Sequence, residues 1–118
     1  MGKAAIRVRH HDGVAVVTLS GNVERAVAAD LERELAEVQR TVGDLIVDLG
    51  AVNLLDAFAL RALLVAEGRA ARAQQQLALV VRPASGTSAA LEFVGLGKRL
   101  PLFASYDVAR AALEGSTP

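Results

Sequence analysis

The chain has 118 residues, 53% of them apolar, which is enough for one domain with one core and too hydrophobic for a disordered chain. Thirteen basic and thirteen acidic side chains balance, so no net field draws it to nucleic acid or to an anionic membrane. Zero cysteines exclude a disulfide framework, a thiol nucleophile and a cysteine zinc site. Aromatics are only 3%, which suits a helix-rich layered fold better than an aromatic-cored β-sandwich. The apolar runs are far short of the ~18 residues of a membrane span and no signal peptide opens the chain, so a cytoplasmic protein without membrane insertion is expected.

Ile6–His10 alternates apolar and polar residues, as a strand with one wet face does. Asp12-Gly13 is a tight-turn dipeptide leading into the β-branched run Val14–Leu19, so the chain opens with a hairpin. Val27, Leu31, Leu35, Val38 and Val42 stack on one face of a helix from about Arg25 to Arg40, with Glu32, Arg33, Glu37 and Arg40 opposite. Gly43 is expected to end it as a left-handed residue. Leu45–Val47 reads as a strand buried on both faces, and Gly50–Asp56 as a loop. A second helix is expected at about Ala57–Ala73 with Leu60, Leu63 and Leu64 inward, then an apolar strand at Leu77–Val81. A third helix, about Ser85–Val94, stops near Gly95 and Gly97; a short strand follows at Pro101–Ala104. Asp107 is expected to cap a last helix carrying Val108, Ala112 and Leu113.

The order β-β-α-β-α-β-α-β-α implies an α/β fold: a mixed, mostly parallel sheet of about five strands with an N-terminal hairpin, right-handed crossovers and about four helices. One domain is expected over 1–118, with its core at about 5–114 and a short polar C-terminal tail at Gly115–Pro118.

Motifs for chemistry fail on spacing. His10 and His11 are strand neighbours on opposite faces and cannot share a metal. Gly95–Lys98 lacks the P-loop glycine, where Glu92 stands, and the following Ser or Thr, where Arg99 stands; Leu100 occupies the third glycine of a dinucleotide fingerprint. Asp44, Asp48 and Asp56 could hold Mg²⁺ or act as an acid/base pair, but no nucleophile accompanies them, and Ser and Thr are absent between Thr41 and Ser85. Helix capping and turn roles are the preferred reading of these carboxylates. No enzyme, no metal and no cofactor are expected.

Three segments in order resemble the STAS family, the small domain of bacterial anti-anti-sigma factors (anti-sigma factor antagonists). Leu19–Glu24 resembles its L-x-G-x-[LV]-[DE] entry into a helix. Asp48–Leu60 resembles D-L-S-G-V-x-F-I-D-S-S-G-L without a gap, and Leu91–Leu96 resembles L-x-x-x-G-L. The resemblance spans about Val14 to Leu113. It implies a protein–protein switch: the antagonist docks an anti-sigma factor, usually also a serine kinase of the histidine-kinase-like ATPase type, until that kinase phosphorylates the first Ser of D-S-S-G. Here that position holds Ala57, followed by Phe58 and Ala59, so the acceptor oxygen is missing.

The resemblance therefore implies docking without the usual phosphoswitch. Its partner-binding residues would be Asn22, Glu24, Asn53, Asp56, Ala57, Phe58 and Arg61. Phe58 admits two readings, an apolar anchor on the docking face or a core side chain under the helix start. Asn53 and Arg61 are either solvated surface or the rim of the contact, and Glu24 either surface or part of that face. Two other roles stay open, an accessory subunit bound to the ATPase of a lipid-transport ABC system and a stress-signalling scaffold module. So does a homodimer.

Overall fold

The computed structural model describes residues 4–115. The expected polar tail lies outside them except for Gly115, which ends the last helix.

Strands β1 (Ala5–His11) and β2 (Val14–Val23) form the expected hairpin. His11 faces Val14 across the turn, where Asp12 (φ 49°) and Gly13 (φ 81°) both adopt the left-handed backbone that a two-residue hairpin of this twist requires. Then come α1 (Arg25–Thr41), β3 (Asp44–Leu55), α2 (Ala57–Ala73), β4 (Leu77–Val80), α3 (Gly86–Phe93), a 3-10 turn at Leu96–Lys98, β5 (Leu102–Phe103) and α4 (Tyr106–Gly115). The sheet order is β1-β2-β3-β4-β5, antiparallel between β1 and β2 and parallel elsewhere. The order of elements is the one expected.

Ala15, Val17, Leu19, Leu45, Val47, Leu77 and Leu79 line one sheet face, under α1 and α2. Leu31 and Leu35 of α1 and Leu63 of α2 are fully buried there, each worth roughly 1.5–3 kcal/mol of apolar transfer. Ala59, Ala62, Ala66 and Ala70 make the inward stripe of α2 together with Leu63. Val14, Ile46, Ala78 and Val80 line the opposite face, covered by Ala109 and Leu113 of α4.

Four expectations are corrected. Gly43 is not a left-handed cap: α1 ends at Val42 in extended backbone (φ −129°). The Gln75 amide donates to the carbonyls of Gln39 (2.8 Å) and Val42 (3.2 Å), so a side chain just past α2 satisfies two carbonyls at the end of α1. At α4 the capping side chain is Ser105, whose Oγ accepts the Val108 N–H at 3.3 Å; Asp107 sits within the first turn. Val108 is exposed, and Ala109, one residue on, takes the inward place that pairs at i,i+4 with Leu113.

The fourth correction matters for the site: Gly50–Leu55 is strand. Thr18 pairs with Asp48 and Val23 with Leu55, so five steps along β2 run beside seven along β3, with register shifts at Thr18/Ser20 and Gly21/Asn22. The two extra residues on β3 are bulges. They break the alternation that marks a strand in sequence. At the first, the Asp48 carboxylate accepts the Gly50 N–H (2.9 Å), and a Cβ on Gly50 would lie 3.1 Å from that oxygen. Beyond Asp48, β3 has left the ladder with β4, and the Arg82 guanidinium donates to the Val52 carbonyl (3.3 Å).

Candidate docking site

The last pairs of the β2/β3 ladder build the site. Because Val23 lies against Leu55, the next residues, Glu24 and Asp56, open α1 and α2 side by side although they are far apart in sequence. The Asp56 N–H donates to the Val23 carbonyl (3.2 Å), which ties the two helix starts together.

Asp56 is the N-cap of α2. Its backbone is extended, and its carboxylate accepts the Ala59 N–H at 3.0 Å, occupying one of the donors a helix start leaves unpaired. Glu24 holds the corresponding position on α1, with its carbonyl accepting the Ala28 N–H (2.8 Å). Its side chain makes no capping bond among the described residues and stays exposed, its charge suited to the positive end of the helix dipole.

Phe58 resolves as surface: it is 47% exposed, on the first turn of α2. The Arg25 guanidinium lies over its ring, 5.1 Å from the centroid, a cation–π contact between the starts of α1 and α2. Ala57 is exposed beside it, while Ala59 turns fully into the core. Asn53 and Arg61 are exposed, and Asn22 is half-buried opposite Leu54.

Two members of this surface were missed in the sequence, Leu54 and Arg25. Leu54 is 47% exposed because the second bulge turns Leu55 inward and Leu54 out. Adjacent residues in extended backbone point to opposite faces, and here Leu55 takes the buried one. Arg25 is recognisable only once the ladder has brought α1 next to α2.

The exposed residues at these two helix starts and the strand end before α2 are the apolar Leu54, Ala57 and Phe58 and the charged Glu24, Arg25 and Arg61, with the half-buried Asp56 beside Ala57. Apolar anchors inside a charged, water-accessible rim are the usual anatomy of a protein-binding patch. The other polar candidates stay apart. Asp44 accepts the Gln76 N–H (3.2 Å), so Asp44, Asp48 and Asp56 each serve a different backbone amide. Both histidines are exposed, with His11 Nε2 3.3 Å from the Asp12 carboxylate. Among the described residues no three acidic, histidine or cysteine side chains gather as a metal site. No helix among them is long and apolar enough to cross a membrane. Gly95 (φ 79°) and Gly97 lie at the exit from α3.

The architecture is that of the small α/β domains of anti-sigma factor antagonists. A solved antagonist from Mycobacterium paratuberculosis matches with a TM-score of 0.84 and 28% identity, covering 95% of each chain. SpoIIAA of Bacillus, solved in its phosphorylated form, matches with a TM-score of 0.74 and 15% identity over 92% of this chain and 99% of its own, a likeness of fold alone. In sequence the chain is 31% identical over 114 residues to the anti-sigma-F factor antagonist RsfB of Mycobacterium tuberculosis, covering 93% of this chain and 89% of that one. The STAS_2 family model, described as "Mlab, STAS domain", matches residues 6–103. The chain belongs to the STAS domain family, as its three motif segments implied.

Proposed function

We propose that this protein is an anti-sigma factor antagonist that acts in the cytoplasm, not an enzyme, and that it docks its anti-sigma factor through the Leu54–Ala57–Phe58 surface without a phosphoryl switch at position 57. One observation carries this reading: the α2 N-terminus is an apolar surface around Ala57, with Leu54 and Phe58 about half exposed on a fold shared with the antagonists. Docking would place Phe58 as the anchor, with Asn22, Glu24, Asn53, Asp56 and Arg61 around it.

The missing switch follows from chemistry. A phosphate would add a charge of about −1.5 to −2 beside Asp56, inside the surface to be buried, and would oppose docking. Ala57 has no oxygen to carry it, and neither Phe58 nor Ala59 supplies one. Complex formation would then follow the amounts of the two proteins, whether or not the partner is a kinase.

Affinity capture from the native cytoplasm tests the assignment, with Phe58→Asp as control bait. An anti-sigma factor held by the wild type and lost by the variant supports it. An accessory subunit bound to the ATPase of a lipid-transport ABC system would use the same face of a STAS domain and is the second reading. Capture of a transporter ATPase in place of an anti-sigma factor would establish that reading and remove the first.

A further inference from the structure

Phe93, the last residue of α3, is 90% exposed, more than Leu54, Phe58 or Val108. Leu91, two residues earlier, is fully buried and fixes the helix to the core, so Phe93 projects from a rigid support. It is no part of the α1/α2 surface, which is built from the ends of β2 and β3 and the helix starts that follow them.

Beside Phe93 the chain turns through Gly95 and the 3-10 turn, leaving a recess of about 420 Å³ lined by Glu92, Gly95, Gly97, Lys98 and Leu102. Glycine keeps it open over Leu102: a Cβ on Gly97 would come within 3.3 Å of that side chain. A projecting aromatic ring, Phe93, thus follows directly in the chain on Glu92, one of the residues lining a recess that also holds the ammonium of Lys98 and the apolar Leu102.

We propose that this patch is a self-association face, on which two copies pair about a two-fold axis. Phe93 of each copy enters the glycine recess of the other, and Glu92 of each faces Lys98 of the other. A two-fold interface requires one patch to be complementary to itself, and this patch carries both the knob and the recess, and both signs of charge. A foreign surface of one charge would face either Glu92 or Lys98 with a like sign, whereas a second copy pairs both. The balanced charge of the whole chain adds no net repulsion between copies.

The interface is small. Two Phe rings contribute roughly 300–500 Å² of contact area, against the ~1,200 Å² or more of stable interfaces. A weak monomer–dimer equilibrium is therefore expected, with a dissociation constant above about 10 μM. It shares no residue with the docking surface and does not depend on what docks there.

Sedimentation equilibrium of the full chain between about 10 μM and about 1 mM, a range set by that small area, tests the proposal. The weight-average mass should climb from 12.3 kDa toward twice that value as concentration rises. Phe93→Ser should weaken association at least about tenfold with an unchanged melting temperature, because the ring it removes lies almost wholly in solvent. Glu92→Lys and Lys98→Glu should each weaken it about 2–5-fold, and the double exchange should restore it. A wild type that stays monomeric to the highest concentration, a Phe93→Ser variant that associates as well as wild type, or a double exchange no better than its single variants would overturn the proposal.

Discussion

Truncating Phe58 to alanine separates what the ring does for the free protein from what it does in a complex. A phenylalanine buries about 150–250 Å² when fully covered, and this one is 47% exposed, so roughly 95 Å² remains for a partner to cover. At about 25 cal/mol per Å² that is about 2.4 kcal/mol, or on the order of 50-fold in affinity. In the free protein, Phe58→Ala loses the Arg25 contact, worth about 0.5–1 kcal/mol at an exposed site, and some packing of the covered half. A stability loss of about 1–2 kcal/mol, or very roughly 4–10 °C in melting temperature, is expected. Calorimetric titration with the captured anti-sigma factor, beside a thermal melt, measures both. A variant that melts lower but binds within about threefold of wild type would refute the anchor role, since an uncovered ring cannot contribute 50-fold.

Two further changes test how the site is held. Asp56→Ala removes the α2 cap and should cost about 1 kcal/mol in chemical denaturation, while Asp56→Asn, which keeps an acceptor for the Ala59 N–H, should cost only a few tenths; equal losses would contradict the capping role. Gln39 joins α1 to α2: its amide donates to the Ala66 carbonyl (2.9 Å) and its oxygen accepts from Arg69 Nε (2.8 Å). Arg69 Nη2 already lacks a partner among the described residues, so Gln39→Leu should destabilise by about 2–3 kcal/mol and Gln39→Glu by less. Urea midpoints that rank them the other way would show that packing at that position outweighs the hydrogen bonds.

Element types were legible in the sequence where a local period carried them. The spacing of Val27, Leu31, Leu35 and Val38 marks α1, and the Asp12-Gly13 turn marks the hairpin, because each depends on neighbours along the chain. The end of β3 was not, because two bulges against β2 erase its alternation, and a bulge is a property of the pair of strands. The same shift hid Leu54. Gly43 misled because carbonyls at the end of α1 are met by Gln75, which lies 33 residues beyond Val42, and the chain leaves the helix in extended backbone. Of the candidate site, the positions on β3 and α2 could be aligned from the Asp48–Leu60 motif. The Arg25–Phe58 contact could not, since it exists only because Val23 and Leu55 are ladder partners.

Position 57 offers the most direct test of docking without a phosphoryl switch. The measurement is the affinity of the captured anti-sigma factor for wild type, Ala57→Ser and Ala57→Asp, each with and without Mg-ATP. Asp at the first position of α2 suits the helix dipole, so this variant should fold as well as wild type while placing a second carboxylate beside Asp56 within the surface. The account predicts wild-type binding indifferent to ATP, no phosphoryl incorporation into wild type, and binding by Ala57→Asp weakened at least tenfold, about 1.4 kcal/mol. Wild-type binding that ATP abolishes, or Ala57→Asp binding as tight as wild type, would contradict it.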